Sequence, residues 1–249
     1  MTIGDGRPSI IAGPCAVEPG YVEQAELLAA TGVDALRACV FKPRTHPGSF
    51  QGLGEDGLDL LRAARARTGL PLVSEVLSAE DAELLGDLVD AYQVGARNMQ
   101  NVRLLEALGD LRRPVVLKRG LSATVDEWLA AAEYLRRRGN DDVVLCERGI
   151  RTFETRTRNT LDLSSVLVAH ELTDLPVIVD PSHAAGNRDW VPGLARAALA
   201  VGADGLLVEA HPNPPLAWSD SAQAIGLAAL ERLVGDSRSA RVAAVGVQR

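Results

Sequence analysis

The chain has 249 residues, 47% of them hydrophobic and 24% charged, with a formal net charge of −7. That length and apolar share suit a folded domain with a full core, and the acidic balance argues against a nucleic-acid or anionic-membrane surface. No apolar run is long enough to span a membrane, and three cysteines are too few, and odd in number, for a disulfide framework, so a reducing, cytoplasmic setting is expected.

Short apolar or β-branched runs alternate with amphipathic ones along the chain. "SIIAGPCAV" (9–17) reads as the first strand, closing near Cys15, and "YVEQAELLAATG" (21–32) as the helix after it. "ALRACVF" (35–41) is the second strand, flanked at its end by Arg37 and Lys42, and it runs into a loop, "KPRTHPGSFQG", that crowds a lysine, Arg44 and His46 around two prolines. A helix over "GEDGLDLLRAARARTG" (54–69) leads to "LPLVSEV" (70–76), which ends at Glu75. The helix "SAEDAELLGDLV" (78–89) and the strand "AYQVGA" (91–96) follow, with Arg97 just beyond. "RPVVLKRG" (113–120) carries Lys118, and Thr124 caps the helix "TVDEWLAAAEYLRRRG" (124–139). "DVVLCERG" (142–149) ends at Arg148, "LPVIVDPSH" (175–183) at His183, and "DGLLVEAHP" (204–212) at Glu209 and His211, with Asp220 close behind.

Eight such units at this length predict an α/β fold, a single-domain (β/α)8 TIM barrel over residues 1–235. Residues 236–249 are expected as a C-terminal tail, loose or at a subunit contact. No GxGxxG motif follows the first strand, which weakens a doubly wound alternative.

In such barrels chemistry collects at the C-terminal ends of the strands, where the residues just named lie. Cys15, His183, Glu209 and Asp220 form a mixed sulfur, nitrogen and oxygen set from strands that adjoin around a closed barrel. Such a set suits a divalent Mn, Fe, Co or Zn ion. The alternative leaves Cys15 a core thiol, His183 a capped loop residue and Asp220 a helix cap. Arg37, Lys42, Arg44, Arg97, Lys118 and Arg148 form a cationic set that calls for phosphate and carboxylate ligands, or else an ion-pair network with the rim acids. Of 26 cationic side chains only Lys42 and Lys118 are lysine. Lysine can give up its proton and arginine effectively cannot, so these two invite a chemical role.

"GPCAVE", "RACVFKPRT", "SFQGLGEDGL", "QVGARNMQN", "LKRGLSATVDEWLAAAEY", "LCERGIRTFE", "RNTLDLS", "PVIVDPSHAAG" and "VEAHPNP" occur in that order. Together they resemble the 3-deoxy-D-arabino-heptulosonate 7-phosphate (DAHP) synthases of the type I beta subfamily, kin of the 3-deoxy-D-manno-octulosonate 8-phosphate synthases. The resemblance covers residues 9–225. It implies condensation of phosphoenolpyruvate with an aldose phosphate, dependent on one divalent metal, Mn foremost, held by Cys15, His183, Glu209 and Asp220. It implies that Arg37, Lys42, Arg97, Lys118 and Arg148 bind phosphoenolpyruvate, and that Arg44 and Thr45 take the acceptor, which the "KPRT" sequence makes erythrose 4-phosphate. Lys42, Glu75 and Lys118 are then the expected catalytic residues, and a homo-oligomer, dimer or tetramer, is expected.

The sequence departs from the family pattern at Ala16, where serine is usual, and in the loop Thr45-His46-Pro47-Gly48. His46 either supplements Arg44 on the acceptor phosphate or points to solvent. No regulatory module is expected ahead of the first strand, and hence no feedback by aromatic amino acids. Three other readings stay open: the same chemistry on a different aldose phosphate, a Schiff-base aldolase using Lys42 or Lys118, and a phosphate-binding barrel without catalysis.

Overall fold

A computed structural model describes residues 3–244, with side chains through residue 239. Eight parallel strands close into a barrel in the order of the chain. They are β1 (Ser9–Gly13), β2 (Ala35–Arg37), β3 (Leu72–Glu75), β4 (Ala91–Val94), β5 (Val115–Lys118), β6 (Val143–Glu147), β7 (Val177–Val179) and β8 (Gly205–Glu209). β1 pairs with β2 on one side and with β8 on the other, Gly13 standing beside Glu209, so the ends of the first, second and last strands are neighbours. The helices are α1 (Tyr21–Ala30), α2 (Leu58–Thr68), α3 (Ala79–Leu85), α4 (Val102–Leu111), α5 (Val125–Arg136), α6 (Ser164–Leu172), α7 (Pro181–Ala185), α8 (Val191–Ala200) and α9 (Leu227–Ala244). This is the (β/α)8 barrel that the alternation implied.

Alternation within each strand divides the core in two. Ile11, Ala35, Val73, Ala91, Val116, Val144, Ile178 and Leu207 point inward and fill the barrel. Their flanking residues, such as Ile10, Leu36, Leu72, Leu117 and Leu206, pack outward against the helices. Two residues on from the inward layer, the same side chain direction carries Arg37, Glu75, Gln93, Lys118, Asp180 and Glu209, all buried. Strand periodicity thus lifts the charges to one end of the barrel.

The strands are shorter than the sequence suggested. Pro14 ends the ladder after Gly13 because it has no N–H to give. Pro181 similarly follows Asp180, which caps the one-turn helix α7 by accepting from the His183 N–H, so His183 sits on a helix rather than at a strand end. At the other terminus α9 continues to Ala244, into the stretch expected as tail, and Ser237 on it is buried. Residues 245–249 of that stretch lie outside the described residues.

Candidate active site

A cavity of ≈ 390 Å³ opens at the C-terminal end of the barrel. Cys15, Lys42, Arg44, Thr45, His46, Glu75, Arg97, Lys118, Arg148, His183 and Asp220 of the expected residues line it, with Arg151, Arg158 and Asn159. Arg37 and Glu209 are fully buried behind its wall.

Four donor groups meet on one side. One ligand-type atom from each of Cys15, His183, Glu209 and Asp220 lies within 4.8 Å of all the others. Cys15 Sγ is 3.4 Å from His183 Nε2, which is 4.0 Å from Glu209 Oε2. Asp180 Oδ2 stands 2.7 Å from His183 Nδ1 and turns Nε2 toward the thiol. Burial pushes His183 down to about 3, leaving a neutral imidazole able to ligate. Burial also pushes the Cys15 thiol up to about 12, so an ion that takes this sulfur must displace a proton. Glu209 is held from two sides, accepting from the Cys15 N–H at 2.6 Å and from Arg37 Nη2 at 2.6 Å. Asp220 adopts a left-handed backbone, φ 51°, which aspartate tolerates better than most residues. The donor set fits a divalent transition ion: one sulfur, one neutral nitrogen and two carboxylates, beside an open cavity.

Two ammonium groups flank this cluster. Lys42 Nζ donates to Asp220 Oδ2 at 2.6 Å, and Lys118 Nζ donates to Asp180 Oδ2 at 2.6 Å. Burial opposes the charge of each. For Lys42 the neighbours Cys15, Asp220 and Glu209 more than offset it, and for Lys118 Asp180 does, so both pKa values lie above the usual lysine value. Glu75 accepts from Gln93 Nε2 at 2.9 Å, and burial raises its carboxyl despite Lys118, Lys42 and Arg37 nearby. A Cβ at residue 95 would overlap the Glu75 carboxylate, which explains Gly95 on the cavity wall.

The remaining cations face the open space. Arg97 Nη2 donates to Thr45 Oγ1 at 3.1 Å, which ties the strand-four loop to the loop after strand two. Among the described residues Arg148 donates only to backbone carbonyls, those of Gly149 and His183, and burial lowers its pKa. Among the described residues no carboxylate pairs with Arg44, Arg97, Arg148 or Arg151. The ion-pair alternative therefore accounts for Arg37, Lys42 and Lys118 and leaves four arginines for anionic ligands. His46 is exposed at the rim and accepts from the Gly48 N–H at 3.2 Å through Nδ1.

Sequence reasoning passed over Asp180, Arg151, Arg158 and Asn159. Asp180 carried a readable signal, an aspartate before Pro181 and three residues before His183, where a helix cap is expected. Arg151 and Arg158 carried none in a chain whose cations are almost all arginine.

The model of the DAHP synthetase I family matches residues 1–240. The phospho-2-dehydro-3-deoxyheptonate aldolase of Thermotoga maritima is 48% identical over 240 residues, covering 96% of this chain and 71% of that protein. A crystal structure of that aldolase, also called DAHP synthase, superposes with a TM-score of 0.93 at 46% identity, covering all of this chain and 72% of the other. A truncated form of the 3-deoxy-D-arabino-heptulosonate 7-phosphate synthase from the same organism gives a TM-score of 0.89 at 44% identity and is covered over 91% of its length. The 2-dehydro-3-deoxyphosphooctonate aldolase of Nitrosococcus oceani is more distant, 31% identical over 90% of this chain and 86% of its own.

Proposed function

The chain belongs to the DAHP synthetase I family, and on that footing we propose that it condenses phosphoenolpyruvate, erythrose 4-phosphate and water into 3-deoxy-D-arabino-heptulosonate 7-phosphate and phosphate. The observation that carries the reading is the juxtaposition of a four-donor metal-type cluster with a cavity lined by Arg44, Arg97, Arg148 and Arg151, which no carboxylate pairs among the described residues, and with the Lys42 ammonium on Asp220.

Cys15, His183, Glu209 and Asp220 hold the divalent ion, Mn by preference, and when bound it supplies Lewis-acid polarisation of the aldehyde. Arg97, Lys118 and Arg148 hold the phosphate and carboxylate of phosphoenolpyruvate, whereas Arg44, Thr45 and His46 hold the acceptor phosphate. Arg37 serves from behind the wall, fixing Glu209 and the carbonyls of Gly13 and Pro14. C3 of phosphoenolpyruvate bonds to the aldehyde carbon, and Lys42 gives its proton to the developing alkoxide. Glu75, with the raised basicity that burial confers, takes a proton from water as the water oxygen bonds to C2, with Lys118 beside it. The C2–O bond to phosphate then breaks, the proton of the new C2 hydroxyl leaves with the phosphate, and C2 becomes the ketone carbon. Holding both substrates in register is the arginines' contribution.

Both lysines are kept as ammonium by carboxylate partners, which disfavours imine chemistry, since an imine needs a free amine. Borohydride in the presence of substrate should leave no covalent adduct. The acceptor is tested with a panel of aldose phosphates, erythrose 4-phosphate being preferred over arabinose 5-phosphate. Three buried free cysteines support a reducing, cytoplasmic setting, and the homo-oligomer proposed with this reading, dimer or tetramer, is resolved by sedimentation.

A further inference from the structure

His211 stands on the rim two residues beyond Glu209, yet the cavity does not include it. Its Nδ1 accepts from the Asn213 N–H at 2.9 Å, which leaves the ring hydrogen on Nε2, and Nε2 lies 2.8 Å from Glu18 Oε1. Glu18 is only 4% exposed. The same Oε1 accepts from Gln24 Nε2 at 3.0 Å, and Oε2 accepts from the Trp218 N–H at 2.8 Å. One buried carboxylate thus gathers a donor from α1 and two from the loop after β8.

The two loops it joins are those that carry Cys15 and Asp220. Glu18 is three residues past Cys15 in the loop between β1 and α1, and Trp218 is two residues before Asp220 in the long loop between β8 and α9. That second loop is pinned at its base by the pairing of Ala210 with Ile225. Between these points the Glu18 contact holds its backbone directly, next to an aspartate in a left-handed conformation.

We propose that Glu18 is a positioning residue for the metal set, fixing Asp220 relative to Cys15 before the ion arrives, with His211 and Gln24 orienting its carboxylate. This rests on the reading of Asp220 as a ligand. Glu18→Gln is close to isosteric but cannot serve three donors, because its amide nitrogen is itself a donor and must face one of them. Whichever way the amide turns, one of the three contacts is lost, the grip on the two loops weakens, and the ion loses a preorganised ligand.

The test is a Co2+ titration of the metal-free full chain, followed by the thiolate-to-cobalt absorption that reports Cys15, in a cycle of Glu18→Gln, Asp220→Asn and the double variant. Glu18→Gln should weaken Co2+ about tenfold or more, as expected for a residue that orients a ligand, while keeping the absorption band. In the Asp220→Asn background the same substitution should add little, because the group it positions is gone. Unchanged affinity in Glu18→Gln, or equal weakening in both backgrounds, would overturn the inference and reduce Glu18 to a general stabiliser of the fold. Should Asp220→Asn alone leave Co2+ affinity intact, the metal reading of Asp220 fails and this inference with it. Should Glu18→Gln not yield folded protein, His211→Leu, which removes one donor and keeps the carboxylate, answers the same question in the same cycle.

Discussion

At the scale of single residues, Lys42 separates charge from proton transfer. Its Nζ sits on Asp220 and faces the cavity, and Lys42→Arg would keep the ion pair while removing a proton that can leave. The expected outcome is a kcat lower by roughly 10²–10⁴-fold with a much smaller change in KM, measured by steady-state kinetics. A wild-type kcat would leave Lys42 with an electrostatic role only. His46 lies in the acceptor loop at the rim, and its Nδ1 is occupied by the Gly48 N–H, so Nε2 is the atom free to meet an anion. His46→Ser should raise KM for the aldose phosphate about 3–10-fold, as loss of one hydrogen bond to a charged group would, and leave KM for phosphoenolpyruvate unchanged. Equal acceptor KM values would place the ring in solvent. The residue types of the site were legible because they stand at strand ends, as with Cys15, Glu75 and Glu209. Their division of labour was not. Arg37 reads like the other cations in sequence, but its inward register on β2 buries it against Glu209, and register at that resolution is set by strand pairing rather than by composition.

Elements show how the rim is supported. α5 begins with a reciprocal cap between Thr124 and Glu127, and its Trp128 is fully buried, donating from Nε1 to the Leu117 carbonyl at 3.0 Å next to Lys118. Trp128→Ala should cost about 3–5 kcal/mol of stability by denaturant unfolding, since a large cavity opens directly behind β5. The stretch between β6 and α6 is held by Arg119, which pairs with Glu147 and, at 2.8 Å, with Asp162. Burial pushes the Asp162 carboxyl up, but the hydrogen bonds from Arg119 and Ser164 outweigh it and hold the group below its usual value. A depressed folded value means that the stability is present above the unfolded value of about 4 and is lost as pH falls through the folded one. Asp162→Asn should therefore destabilise by about 1–2 kcal/mol at neutral pH, and the gap from the native chain should close in acid. A gap independent of pH would mean that the pair contributes nothing through charge. Element type was readable for the eight strands and for α1, α2, α3 and α5, where periods of two and of 3.6 residues differ plainly. Element ends were not: "LPVIVDPSH" reads as one apolar run, and only the Asp180 cap and Pro181 convert its last residues into α7.

For the whole molecule, barrel closure is the source of the site. Cys15 and Asp220 are 205 positions apart in sequence, and they meet because β8 returns to pair with β1. Nothing local in the sequence forces that meeting; it follows from counting eight units and from the rule that such units close in order. Metal-dependent condensation on this rim is checked by supplying phosphoenolpyruvate and erythrose 4-phosphate and measuring the seven-carbon product and phosphate together, before chelation, after exhaustive chelation, and after Mn2+ is returned. Product and phosphate should appear in equal amounts, both should be lost on chelation, and both should recover with the ion. Undiminished turnover by the fully chelated protein, or phosphate release that does not depend on erythrose 4-phosphate, would contradict metal-dependent condensation.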